Sequence, residues 1–241
     1  GLYYLMQIFK DKRKYILILY FLSPIILYAS YMHGQLDIIP TVFLVGAVYY
    51  LAETNRMAEK HFSNQWKFII FLTLALSSKF HIAAVLPLFF LYIYKKKGRR
   101  KAVIMMGLPV LATGAIVMPF WGSGFANMVL LNKEQQVIDR VYLDYGNTHL
   151  LLSVLVLLFI YFQAFQINQM NRDLLISMTG LLFSVFLAFV PAMPAWFIWI
   201  VPFFMLYLAG LSENRGKMVL IYGLFNFLYL LYYVFFHTTQ F

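Results

Sequence analysis

The placement of charge constrains this chain more than any other feature of its sequence. Long apolar blocks alternate with short charged clusters, and only 12% of the residues are charged while 63% are hydrophobic and 20% aromatic. An ordinary soluble domain carries roughly 25% charged residues. So few charges cannot cover a water-exposed surface, and their clustering between apolar blocks is the pattern of membrane-spanning helices. The fold class expected is therefore all-α, a polytopic transmembrane helical bundle forming a single membrane domain over residues 1–241. The formal net charge of +10 does not point to nucleic acid, because the basic residues fall in the gaps between apolar blocks. Cysteine is absent, which excludes disulfides and thiolate chemistry.

Gly1–Phe9 is an apolar stub followed by Lys10, Asp11, Lys12, Arg13 and Lys14. It is too short to span a core of about 30 Å at about 1.5 Å per residue. A signal peptide has its basic residues first, the opposite order. The stub reads as the tail of a helix begun upstream, so helices and an external loop are expected to precede it. Apolar blocks then follow at Tyr15–Ser30, Ile38–Ala52, Phe68–Tyr94, Ala102–Phe120, Asn147–Phe165, Leu174–Val190, Trp196–Gly210 and Met218–Phe236. There is no internal repeat, low-complexity segment or soluble domain.

Basic clusters belong on the cytoplasmic side. With Lys10–Lys14 inside, Tyr15–Ser30 runs outward and Ile38–Ala52 returns. Lys67 and Lys95 then both belong inside although a single apolar block separates them. Ser77-Ser78-Lys79-Phe80-His81 interrupts that block, so it is expected to turn back near Lys79 as a re-entrant hairpin of two half-helices, roughly a dozen residues each. Backbone broken at membrane depth is tolerated only where protein or water surrounds it. This arrangement leaves all but Lys79, Lys133 and Arg140 of the 19 Lys and Arg inside. In the long external loop Trp121–Gly146, Leu130, Val137 and Val141 share a helical face opposite Lys133, Gln136, Asp139 and Arg140. Glu134 interrupts the apolar face. The pattern predicts an amphipathic helix on the outer surface, with Arg140 and Asp144 paired at i, i+4, stopped by Gly146, and with Asn147 or Thr148 capping the next span.

Catalytic signatures are lacking: no phosphate-binding glycine loop, nucleophile elbow or metal-ligand cluster. His33 and Asp37 are four residues apart, but two ligands do not make a metal site. Asp37 lies near Gln35, where an external loop meets a span. It suits an N-cap for the helix beyond Ile38, and capping is compatible with substrate contact. An intramembrane Lys costs roughly 2.5–3.5 kcal/mol at a helix centre unless paired or hydrated, so Lys79 reads either as a functional cation facing a cavity or as a side chain snorkelling from a hairpin turn. His81 is close enough to join it. Trp196 and Trp199, near Pro191 and Pro194, fit an aromatic belt at the interface.

Ser23-Pro24 and His33-Gly34-Gln35-Leu36-Asp37-Ile38-Ile39-Pro40 resemble the "hGQxD" stretch of polyprenyl-phosphate-sugar-dependent membrane glycosyltransferases of the GT-C fold. The comparison is with the bacterial mannosyltransferases related to GPI-anchor mannosyltransferases. Leu72–Lys79 resembles the family's small and apolar run ending in Lys, and Pro87 follows in the second half-helix. Phe80 departs from the pattern, standing where the family often has Pro. The external helix followed by Asn147, and Pro194-Ala195-Trp196-Phe197 before Pro202, are also similar. The resemblance implies transfer of a sugar, such as mannose, from a polyprenyl-phosphate-linked donor to a lipid or glycan acceptor, at the outer face of a bacterial cell membrane and with no cofactor or metal. The partners are that donor, the acceptor and membrane lipids, with no nucleic acid. The family's acid or base lies in the first external loop, expected upstream of Gly1, so no catalytic residue is carried over. Lys79 is expected to pair with the lipid phosphate, with Arg140 a second candidate and Gln35, Asp37 and His81 shaping the site. A polysaccharide polymerase or flippase would be expected to carry more external Arg. A secondary transporter would show paired broken segments in two related halves, whereas the sequence shows one break.

Because the chain lacks cysteine, single-cysteine variants test this topology. Gly98→Cys and Ser212→Cys should react with impermeant reagent only from the cytoplasmic side, and Ser123→Cys only from outside. External labelling at position 98 would remove the turn at Lys79.

Overall fold

The computed structural model describes residues 2–32, 34–53, 61–124, 141–146, 148–189, 193–211 and 214–237. The elements are α1 (Leu2–Ile8), α2 (Arg13–Phe21), α3 (Pro24–Leu27), α4 (Ile38–Glu53), α5 (His61–Ser78), α6 (Leu86–Lys97), α7 (Arg99–Val117), β1 (Tyr142–Tyr145), β2 (Thr148–Leu151), α8 (Leu152–Gln166), α9 (Arg172–Phe189), α10 (Val201–Leu211) and α11 (Arg215–His237). Among the described residues the regular structure is thus helical apart from one two-stranded hairpin. Three helical stretches are long and apolar enough to cross a membrane: Arg99–Phe120, Arg172–Phe189 and Arg215–Phe235. A bent pair, Lys10–Phe21 with Pro24–Met32, makes a fourth if it forms one span. Only 17% and 22% of the first and third of these stretches are buried, against 44% of the second, so α9 lies inside and α7 and α11 outside. Leu111 and Leu220 are each more than two-thirds exposed on those outer helices. Continuous apolar surface of this kind suits lipid.

Tyr15–Ser30 is not one straight span. It breaks at Leu22-Ser23 and bends by 53°. Pro24, at the first turn of α3, has no N–H to donate and its ring crowds the turn before it, which pushes Ser23 into extended backbone (φ −67°, ψ 117°). Tyr28–Met32 then follows as a π-type turn. A third interruption is the 3-10 segment Pro194–Trp199, ahead of α10. The single break read from the sequence therefore becomes three.

The chain does fold back at Lys79. Phe68 and Phe89 have ring centroids 6.1 Å apart, whereas a continuous helix would separate residues 21 positions apart by about 32 Å. The arms are unequal, however: α5 has 18 residues and α6 has 12. The half-helices were expected within the apolar block Phe68–Tyr94, yet α5 extends back through Asn64, Gln65 and Lys67 and buries Asn64.

Helices α4 and α5 pack antiparallel in a fixed register. Lys67 lies over the Tyr50 ring, 5.3 Å from its centroid. Four residues further along each helix, Gly46 faces Phe71. Tyr4 of α1 closes this layer, with rings 5.4–5.6 Å from Tyr49, Tyr50 and Phe71. On the other side, Phe203 of α10 stacks on Phe183 of α9 at 5.9 Å.

Basic side chains stitch together one end of the bundle. Lys12 Nζ donates to the Ala209 carbonyl at 2.6 Å, and Arg172 Nη1 to Ile8 at 3.1 Å. Lys95 Nζ donates to Ala164 and Phe165 at 2.8 and 2.7 Å, and also to Ile167. The last carbonyls of a helix lack intrahelical donors and carry partial negative charge, so these cations satisfy the ends of α10, α1 and α8. Arg172 also lies 4.7 Å above Phe9, and Arg215 lies 5.2 Å above Tyr15.

The external loop departs from expectation. Residues 125–140, with Lys133 and Arg140, lie outside the described residues, as does Asn147. Tyr142–Tyr145 is not the end of a helix but a strand, paired antiparallel with Thr148–Leu151 so that Tyr145 faces Thr148. Thr148 therefore caps no helix, and α8 begins at Leu152. Gly146, at φ +60°, supplies the left-handed conformation that a two-residue hairpin connection needs. Asp144 pairs with His149 Nδ1 at 2.6 Å.

A Cβ at Gly46 would meet the Phe71 ring at 2.3 Å, and that ring is held by Tyr4, Tyr50 and Phe43. Gly46→Ala should therefore destabilise the fold by about 1–2 kcal/mol through overpacking. Gly107→Ala, where a Cβ meets nothing, should leave stability unchanged or slightly raised. Thermal unfolding in detergent compares the two.

Candidate functional site

The α4–α5 register carries the site. Lys79 directly follows α5, eight residues beyond Phe71, and Asp37 directly precedes α4, nine residues before Gly46. Antiparallel helices at this spacing bring the two opposite each other, and Lys79 Nζ lies 2.8 Å from Asp37 Oδ1. The environments differ sharply: the Asp37 side chain is 4% exposed and that of Lys79 is 43% exposed. The carboxylate is held inside while the lysine side chain is in part open to solvent.

Local chemistry explains both ends. Thr73, Ser77 and Ser78 return their hydroxyls to carbonyls four residues back, at 2.9, 2.8 and 2.7 Å, which satisfies polar groups in an apolar helix and loosens its last turn. Lys79 then becomes extended (φ −155°, ψ 126°) and a 3-10 segment, Phe80–Val85, leads into α6. Tyr161 of α8 pins this apex by donating to the Ala84 carbonyl at 2.6 Å. At the other end, the loop before α4 turns at Gly34 (φ +63°) and closes through the Gln35 amide on the Ala29 carbonyl at 3.0 Å.

Asp37 is not an N-cap. Its Oδ1 meets Lys79, and its buried Oδ2 has no partner among the described residues. Thr41 donates its hydroxyl back to the Asp37 backbone carbonyl at 2.7 Å, the bond a Thr makes inside a helix. Gln35 Oε1 is likewise buried and unpartnered. A carboxylate oxygen and an amide oxygen can only accept, so this loop presents two acceptors without donors. Arg140 lies outside the described residues.

The three consecutive residues at the apex point in different directions. Lys79 meets Asp37. Phe80 lines an apolar groove of about 350 Å³ with Val110, Thr113, Gly114, Val117, Met118 and Trp121 of α7 and the turn after it. His81 stacks on Trp199 at 3.8 Å, with Phe183 and Phe186 at its edges. Trp199 stacks in turn on Trp196 at 5.1 Å.

That stack overturns the aromatic-belt reading, because Trp199 is 5% exposed. In a 3-10 helix residues i and i+3 eclipse, so Trp196 and Trp199 superpose their rings. Pro194, followed by two tryptophans three apart, was the available signal, and the indole-to-imidazole contact was not legible without the tertiary fold. His81 Nε2 and Trp199 Nε1 are both buried without a partner among the described residues.

Removing one partner of the ion pair should have unequal effects. Lys79→Met strands a buried carboxylate, whereas Asp37→Asn leaves an ammonium that can turn to solvent. Lys79→Met should be the more destabilising, and a double-mutant cycle should return a coupling of about 1 kcal/mol, reduced by the exposure of Lys79. Unfolding in detergent measures both. Compared with known proteins, the chain matches no protein-family model, no curated protein and no solved structure.

Proposed function

We propose that this protein transfers a sugar, such as mannose, from a polyprenyl-phosphate donor to a lipid or glycan acceptor at the outer face of a bacterial cell membrane. In this reading the helices form a polytopic bundle, and the α5–α6 turn is re-entrant, opening away from the basic end. The observation that carries the proposal is the partly exposed Lys79 side chain, its ammonium 2.8 Å from a buried carboxylate and its neighbour in sequence, Phe80, lining the apolar groove. A polyprenyl phosphate needs that combination, a cation for its head and an apolar channel for its tail.

The levels agree. Lys79 is twelve residues along α5 from Lys67, about 18 Å from the basic end at 1.5 Å per residue. Val110, the first groove residue on α7, is eleven residues from Arg99, about 17 Å from the same end. The groove then runs outward to Trp121. The resemblance of His33–Pro40 and Leu72–Lys79 to GT-C transferases supports the same reading. The gathering of three interrupted segments favours a second one, a transporter of lipid-linked or anionic cargo, since such proteins bind at broken helices.

A transfer assay with polyprenyl-phosphate mannose, normalised to folded protein, separates them. Lys79→Met should lower kcat/KM by at least about tenfold, the loss expected for one charge-assisted contact of about 1.4 kcal/mol. Lys79→Arg should keep part of the activity, because charge remains while reach and geometry change. Wild-type KM and turnover in the Met variant would overturn the phosphate role, and movement of intact donor without transfer would favour the transporter.

A further inference from the structure

We propose that the His81–Trp199–Trp196 stack is a hexopyranose subsite that holds the sugar of the lipid-linked donor. The inference rests on the donor reading above and deepens it. Lys79, Phe80 and His81 send consecutive side chains to the ion pair, the apolar groove and the aromatic stack. A sugar phospholipid also has three chemically distinct parts: a tail joined to a phosphate joined to a sugar. With the tail along Phe80 and the phosphate at Lys79, the aromatic stack is the remaining site for the sugar.

The stack has the chemistry a sugar ring requires. A pyranose presents an apolar C–H face, which suits an aromatic surface, and a rim of hydroxyls that donate and accept. Trp196, the half-buried end member, supplies the surface. The unpartnered groups supply the rest. Trp199 Nε1 can only donate, and the neutral His81 ring offers either a donor or an acceptor at Nε2. Each buried polar atom left without a partner costs about 1–3 kcal/mol, so a hydroxyl-bearing ligand that reaches these nitrogens recovers free energy the empty fold lacks. Both nitrogens are sealed from solvent. A sugar therefore reaches them only where side chains around the stack give way.

The test compares binding of polyprenyl-phosphate mannose and sugar-free polyprenyl phosphate to the protein in lipid nanodiscs. Wild type should bind the sugar-bearing lipid more tightly. Trp199→Phe, which keeps an aromatic ring but deletes the N–H, should weaken that lipid about fivefold to tenfold and leave the sugar-free lipid unchanged. Trp196→Ala should do the same from the exposed end of the stack, and carries the test if position 199 does not tolerate Phe. Lys79→Met should weaken both lipids alike. Equal wild-type affinity for the two lipids, or equal weakening of both by the tryptophan variants, overturns the sugar subsite while leaving the phosphate reading intact. Failure of wild type to bind either lipid overturns both.

Discussion

Everything near the candidate site depends on a lysine held by a buried aspartate. Lys79 and Asp37 meet at 2.8 Å because two antiparallel helices bring residues at matched distances opposite each other. The pair is lopsided, a buried carboxylate against a lysine side chain that is in part exposed. The Coulomb attraction is partly screened on the lysine side and weakly screened on the aspartate side. The carboxylate therefore needs the ammonium more than the reverse, and the lysine keeps donor capacity free for another anion. Its ammonium has three protons, and Asp37 Oδ1 takes one.

The sequence indicated Lys79 and Asp37 separately, through the cost of a charge in an apolar block and the polarity of a short loop. Their contact was not legible, because it follows from the α4–α5 register, which local pattern does not encode. The turn at Lys79 was legible, since Lys67 and Lys95 flank one block and both belong with the basic clusters. The length of α5 was not, because a polar Asn64 just before the apolar block gives no local sign that it will be buried in the same helix. At Ser23-Pro24 the break was in plain view, and its backbone consequence outweighed the apolar run around it. The strands at Tyr142–Leu151 hid behind a helical charge pattern, although Gly146-Asn147 is a familiar hairpin connection.

The interrupted segments also have a division of labour. The π-type turn Tyr28–Met32, the 3-10 segment Phe80–Val85 and the 3-10 segment Pro194–Trp199 each leave backbone or side-chain groups that a straight helix would consume internally. Five of the buried unpartnered atoms, on Ser30, Gln35, Asp37, His81 and Trp199, lie in these segments or in the loop leading from the first of them into α4. Where a helix breaks inside apolar surroundings, polarity becomes available for recognition instead of being spent on the helix.

At the opposite end, Lys12, Lys95 and Arg172 spend their charge on helix-terminal carbonyls. Each of these cations fastens a helix end to a neighbouring segment, so charge and cohesion reside in one group of side chains. Neutralising any one of them would leave terminal carbonyls without that donor, and a change made only to alter the charge of this end would loosen the packing as well.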